Sequence, residues 1–323
     1  MSIKKNAFVA VVTVFFLTSC NGVESKVDNA QQPVFVTRQG SRITLSYKPS
    51  NVALADLNKD GRLDLIVASD ARTVTVMLGD KGDVPFSSAT ARPVTLPESP
   101  GEMVVGDVNG DNRLDVAFDS HDSYNVTLLL GEANGGFSIA PNSPIVMKRG
   151  QHPHTHGLGL GDLNGDGKLD LATVNNADND VSVAFGDGRG GFTLAPRSPF
   201  AVGPSPYPLT LADINNDGRL DIVANASATG PNRAQQLATS RALTLLLGDG
   251  QGGFRRSEIP LRTGQPWFAA VGDLNGDRKP DIVATHHDQS ALTVLLGDGT
   301  GSFRETTGSP IDFGHNVWKI VLA

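Results

Sequence analysis

Cysteine is almost absent from this 323-residue chain, and the single Cys20 excludes any disulfide within the molecule. Aromatic residues make up only 6% of it, with 2 Trp and 3 Tyr. Positive charge is outweighed: 27 Lys and Arg against 34 Asp and Glu leave a net charge of -7, so there is no general basic surface to attract nucleic acid. The one long apolar run, Ala7 to Leu17, is too short to span a membrane as a mature helix. Helix signals are scarce, and there is no nucleophile elbow, no HExxH and no phosphate loop. What is plentiful is glycine (36) and proline (19) among Val, Leu and Thr, the composition of many short strands joined by tight turns.

Five nine-residue stretches share one template: DLNKDGRLD, DVNGDNRLD, DLNGDGKLD, DINNDGRLD and DLNGDRKPD. Positions 1, 3, 5 and 9 carry side-chain oxygen, and position 7 offers a backbone carbonyl. In chain order the five sets are Asp56, Asn58, Asp60, Arg62 and Asp64; Asp107, Asn109, Asp111, Arg113 and Asp115; Asp162, Asn164, Asp166, Lys168 and Asp170; Asp213, Asn215, Asp217, Arg219 and Asp221; and Asp273, Asn275, Asp277, Lys279 and Asp281. This alternation turns several oxygens inward on one hard cation, and calcium is the expected ion, at about five sites per chain. No sulfur or imidazole is present in the loops, so zinc is a poor match there. Position 6 is Gly61, Gly167, Gly218 or Asn112 in four copies, residues that accept a left-handed backbone. The fifth copy departs, with Arg278 at position 6 and Pro280 at position 8. The loops hold 15 of the 34 acidic residues, so bound calcium would more than offset the formal charge.

An EF-hand would place helices on both sides of such a loop and a Glu at position 12. Here the flanks are apolar strands: 64–69, 115–120, 170–175, 221–226 and 281–286 follow the loops, and 74–78, 126–130, 181–185, 243–247 and 292–296 read as third strands. Glycine turns such as GDGRGGF (186–192) lead to a fourth strand. The loops begin at 56, 107, 162, 213 and 273, a period of 51–60 residues that marks repeated supersecondary units. Over about residues 50 to 323 these units resemble FG-GAP (VCBS-type) repeats, the family that includes the integrin alpha-subunit head. The resemblance implies an all-β propeller of four-stranded blades with calcium loops between first and second strands. Asn316 to Ala323 matches a further inner strand, so five full blades are followed by a partial one. Either residues 33–47 supply outer strands that close the ring, or the chain is a fragment of a larger, seven-bladed propeller.

Residues 1–20 read as a signal peptide, 21–32 as a flexible tether and 33–323 as the propeller. Leu17-Thr18-Ser19-Cys20 resembles the bacterial lipobox, which implies lipidation of Cys20, export, and a lipid anchor as the only contact with the membrane. Asn21 rather than Asp after that cysteine implies, by resemblance to enterobacterial lipoprotein sorting, the outer membrane, and the expected location is the outer membrane or cell surface.

The expected strand order puts the calcium loops and glycine turns on one face. The second-to-third turns and blade connections fall on the other, together with all seven histidines. In relatives of the resembled family, that opposite face is where partners dock. His152, His154, His156, His286, His287, Tyr207, Trp267 and Trp318 are therefore the ligand-face candidates. His152, His154 and His156 alternate, so an extended segment projects them to one side as half of a transition-metal site, or they form an exposed polar loop. Trp267 and Trp318 share one register and either plug the tunnel or stack on a ligand. The expected function is a non-catalytic, calcium-stabilised adhesion or binding module for a glycan or protein. The alternative is a propeller enzyme, a polysaccharide lyase or metal-assisted hydrolase or dehydratase, using the histidine-bearing face.

Overall fold

A computed structural model describes residues 45, 47–81, 86, 93–151, 153–226, 241–286, 289–314, 317, 320 and 322. Among these, regular structure is all strand, in five consecutive antiparallel sheets. The first contains β1 (Pro49–Ala55), β2 (Asp64–Ser69), β3 (Thr73–Met77) and β4 (Val94–Thr95). The second contains β5 (Met103–Gly106), β6 (Asp115–Asp119), β7 (Asn125–Gly131), β8 (Phe137–Ile139) and β9 (Ile145–Val146). The third contains β10 (Thr155–Gly161), β11 (Asp170–Asn175), β12 (Asp180–Gly186), β13 (Phe192–Leu194) and β14 (Phe200–Ala201). β15 (Pro206–Ala212), β16 (Asp221–Ala226), β17 (Ala242–Gly248) and β18 (Phe254–Pro260) form the fourth. β19 (Pro266–Gly272), β20 (Asp281–His286), β21 (Ala291–Gly297), β22 (Phe303–Glu305) and β23 (Ile311–Asp312) form the fifth.

Each sheet is a meander in chain order, and each inner strand packs against the inner strand of the next sheet. The second strand of every sheet is buried on both faces, which explains its near-continuous apolar sequence. Its two-residue period divides the core between neighbours. Val116 and Phe118 face the first sheet, whereas Ala117 faces the third. Likewise Ile222 and Ala224 face the third sheet while Val223 faces the fifth. No unit could bury both faces alone, so the sheets stabilise one another in series.

The outer strand differs from the single fourth strand expected. In the second, third and fifth sheets it is broken into two pieces that pair with the same third strand: β8 and β9 with β7, β13 and β14 with β12, β22 and β23 with β21. A Ser-Pro pair stands at each break, with a cis peptide bond in all three. The serine hydroxyl of Ser143, Ser198 or Ser309 accepts the strand N–H of Leu128, Val183 or Val294, so the interruption leaves no ladder donor unpaired. The fourth sheet lacks that pair and keeps one unbroken outer strand, β18.

Of the terminal segments, 33–47 is described only at Leu45 and Tyr47, and 316–323 only at 317, 320 and 322. Leu322 lies against Gly272 at the end of β19, on the side where a further inner strand would pack. Most of the long turn of the fourth sheet, 227–240, lies outside the described residues, as do Cys20, His152, His287 and Trp318.

Candidate functional site

The five nine-residue loops join the first and second strands of the sheets and share one hydrogen-bond pattern. The position-1 carboxylate accepts backbone N–H groups from later in its own loop: Asp162, for example, takes Gly165 at 2.7 Å, Asp166 at 3.1 Å and Gly167 at 2.8 Å. Asn164 and Asp166 then accept from Asp166 and Lys168. Position 6 has φ between 64° and 83° in every copy, Arg278 included. The fifth loop therefore folds like the other four despite its departures, with Asp273 accepting from Gly276, Asp277 and Arg278.

Position 9 is different in kind. Asp64, Asp115, Asp170, Asp221 and Asp281 are buried, at most 1% exposed. One oxygen of each accepts the N–H of position 2, and the other accepts the N–H of the glycine at or just past the end of the third strand, Gly79, Gly131, Gly186, Gly248 or Gly297, all at 2.7–3.0 Å. That glycine runs so close to the loop that a Cβ would stand 2.0–2.5 Å from the position-8 carbonyl. Burial is the main influence raising Asp115 to about 6, with Asp107 and Asp111 adding repulsion; Asp170 and Asp221 are raised for the same reasons. Positions 1, 5 and 9 give each loop three carboxyl groups and oxygen donors only, a chemistry that suits a hard divalent cation. Among the described residues, however, the only three His, Cys, Asp or Glu ligand atoms gathered within 4.8 Å of one another are those of His121, His154 and His156. Position 7 is Lys or Arg in all five copies, a charge that the template of oxygens leaves without a role. In four loops its side chain pairs with the position-5 carboxylate, as in Lys168–Asp166 at 3.1 Å, Arg219–Asp217 at 3.7 Å, Arg62–Asp60 and Arg113–Asp111.

The glycine turns share this face, as expected: Gly190 donates to Val108 O beside the second loop, and Gly165 lies against Gly250 O. The opposite end of the strands is built from the starts of the inner strands. β10, β15 and β19 each carry a register shift over their first residues, between Thr155 and Leu158, Pro206 and Leu209, Pro266 and Ala269. Such bulges re-aim a side chain. The residue in each bulge stands six before the first Asp of its loop: His156, Tyr207 and Trp267. These rings form a continuous ladder, with His156 and Tyr207 centroids 4.1 Å apart and Tyr207 stacked on Trp267 at 4.2 Å and 23°.

The ladder ends in a histidine cluster. His121, from the β6–β7 turn, meets His154 and His156 at centroid distances of 4.4 and 4.6 Å, and the latter two are 4.5 Å apart. Burial lowers the pKa of His154, with His121 contributing; it pushes His156 down to about 3, with His154 and His121 adding repulsion. Near the ladder Asp119 is buried and held well above the usual carboxylate range, chiefly by desolvation and then by Glu102. Burial also raises Tyr207, reinforced by Glu102 and Asp119. A polar cavity of about 330 Å³ adjoins the cluster, lined by Arg72, Glu98, Ser99, Ser120, Asp122 and Ser123.

Of the ligand-face candidates, the structure thus gathers His154, His156, Tyr207 and Trp267. His286 is a correction: it is not in a turn but the last residue of β20, only 2% exposed, with Nε2 2.8 Å from Thr293 Oγ1. The register of β20 on β19, Pro266 opposite His286, draws it inside. While His152 lies outside the described residues, His121, which sequence reasoning left out of the ligand-face set, joins His154 and His156 in the cluster. Its signal was available only through topology, since the β6–β7 turn lies beside the start of β10.

The low His156 pKa predicts a pH effect in metal-free protein. An unfolded histidine titrates near 6.5, so between there and about 3 the unfolded chain takes up a proton that the folded chain refuses. Stability present above pH 6.5 is therefore lost as pH falls. His156→Phe keeps a ring against Tyr207 and removes this titration. In urea unfolding with chelator, the variant's stability relative to the parent rises steadily from pH 7 to pH 4; a flat difference would contradict the assignment.

Residues 56–118 and 162–224 match a family model described as an FG-GAP-like repeat. The chain is also similar in fold to a functionally unknown protein from Desulfotomaculum acetoxidans (TM-score 0.56, 14% identity, 82% of this chain and 71% of that one). A protein from Lactobacillus plantarum gives TM-score 0.55 at 15% identity over 82% and 71% of the two chains. An Agrocybe aegerita lectin that recognises non-reducing terminal N-acetylglucosamine gives TM-score 0.51 at 21% identity, covering 78% of this chain. The chain spans 64% of that lectin's length, just under two thirds. A search of the curated proteins finds no match. The two matched repeats and the propeller-like serial sheets agree: the chain carries FG-GAP-like repeats and has a β-propeller fold.

Proposed function

We propose that the protein is a calcium-stabilised, non-catalytic binding module, exported and anchored at the cell envelope through Cys20, that holds a ligand at the aromatic and histidine-bearing end of its inner strands. The observation that carries the reading is the ring ladder of His156, Tyr207 and Trp267, presented by three successive bulges at the end opposite the acidic loops. A row of half-buried rings offers apolar area with little rotamer entropy to lose, and the adjoining polar cavity supplies hydrogen-bonding groups. That combination suits a glycan, and the lectin likeness in fold makes N-acetylglucosamine-terminated glycans the first class to try. A protein ligand would use the same surface.

The acidic loops support the calcium part of the reading. Each carries three carboxylates and an amide oxygen within nine residues, and the position-7 side chain that pairs with position 5 lies near the surface, where it can swing into solvent when an ion enters. The test of the binding part is a glycan array probed with the calcium-loaded protein, followed by titration of the best ligand. Trp267→Ala is expected to weaken binding at least tenfold while leaving the melting temperature within a few degrees. Retention of full affinity by both Trp267→Ala and Tyr207→Ala would place the ligand elsewhere.

A further inference from the structure

From the cluster geometry we propose that His121, His154 and His156 form a transition-metal site, separate from the acidic loops and of the kind that zinc occupies. It goes beyond the binding reading above and does not depend on it, since a ring platform needs no metal.

The three side chains come from two segments that the fold clamps together. His154 and His156 flank Thr155 at the start of β10, so the strand's alternation sends both to one side. The Thr155 hydroxyl donates to Ser123 O at 2.8 Å, tying this strand to the turn that carries His121. Asn176 N also donates to His154 O at 2.8 Å, which fixes the start of β10 against the β11–β12 turn of its own sheet. The segments are thus held in place by groups other than the imidazoles themselves.

The resulting triangle is nearly equilateral, with edges of 4.4, 4.5 and 4.6 Å between ring centroids. The rings are tilted at 50°, 52° and 78° to one another rather than stacked, so they fan around a shared centre. One nitrogen of each lies within 4.8 Å of the others. Nitrogens at about 2.1 Å on a tetrahedral ion stand roughly 3.4 Å apart, so small χ rotations complete the set. His121 also has the outer partner that metal-binding histidines use: its Nδ1 lies 3.0 Å from Asp122 Oδ1, which leaves Nε2 for the ion. Three imidazoles without sulfur suit zinc, with the fourth position left to water or an oxygen of a ligand. The acidic loops, which carry oxygen donors only, would not compete for this ion when calcium is present.

The test is calorimetric titration of zinc into the purified protein in millimolar calcium, which fills the acidic loops. One zinc per chain is expected, with His154→Ala and His156→Ala each lowering affinity at least 100-fold and Asp122→Asn lowering it about 10- to 100-fold. Because a histidine variant could also disturb the fold, zinc K-edge absorption on the unsubstituted protein provides an independent reading, expected to show about three imidazoles with N or O neighbours at about 2.0–2.1 Å. No stoichiometric zinc, unchanged affinity in the histidine variants, or fewer than three imidazoles in the absorption spectrum would each overturn the proposal.

Discussion

Stripping calcium from the protein is expected to lower its melting temperature by more than about 20 °C. A site held at a hundred times its Kd contributes about 2.7 kcal/mol to the folded state, and in a chain of this size each kcal/mol moves the midpoint by about 2 °C. Five loops acting on sheets that stabilise one another in series add to one large shift. Without the ion, each loop keeps an Asp pair beside a buried third carboxylate, and in the second, third and fourth loops burial and that crowding already raise the pKa of this third group, Asp115, Asp170 and Asp221. A melt in chelator that stays within about 2 °C of the calcium-loaded melt would remove calcium from the account.

The second large effect separates two roles within one loop. Asp170→Ala strands the N–H groups of Leu163 and Gly186 in a buried site, where each lost partner costs about 1–3 kcal/mol. A loss of about 2–6 kcal/mol is therefore expected in chelator, and in saturating calcium the loss of a ligand from that loop's ion adds about 3–4 kcal/mol, read from urea midpoints. Asp162→Ala frees N–H groups that solvent reaches, so in chelator its cost is at most about 1 kcal/mol, whereas in saturating calcium it also forfeits that loop's ion, about 3–4 kcal/mol. Equal costs for the two substitutions under both conditions would show that position 9 is an ion ligand only and not the peg that fastens the loop to the third strand.

Most of the architecture was legible because period and chemistry coincided. The spacing of the Asp loops marked the units, and the apolar runs after them became β2, β6, β11, β16 and β20 within a residue of their expected bounds. The broken outer strands were not foreseen, though their mark was in the sequence as APNSP, APRSP and TTGSP, because a Ser-Pro pair reads as an ordinary turn until the serine hydroxyl is seen taking the ladder N–H. The role of position 9 was hidden for a similar reason: a template of oxygens does not say which of them backbone donors already hold.

At the other end, Trp267 stands in a ring ladder that also needs His156 and Tyr207, whose chemistry differs while their offset from the loop is the same. His121 joined through a turn-to-strand contact between neighbouring sheets, which no spacing along the chain encodes. His286 ends the strand expected over 281–286, which conflicts with counting it among the turn histidines, and pairing opposite Pro266 holds it in β20 with its side chain inside.

Calcium binding by the five loops is tested most directly by equilibrium dialysis against calcium followed by elemental analysis. The expected result is about five calcium ions per chain, falling by one in Asp162→Ala and by one in Asp273→Ala, since the fifth loop shares the geometry of the others. One ion or none per chain, or a count unchanged by both substitutions, would contradict it.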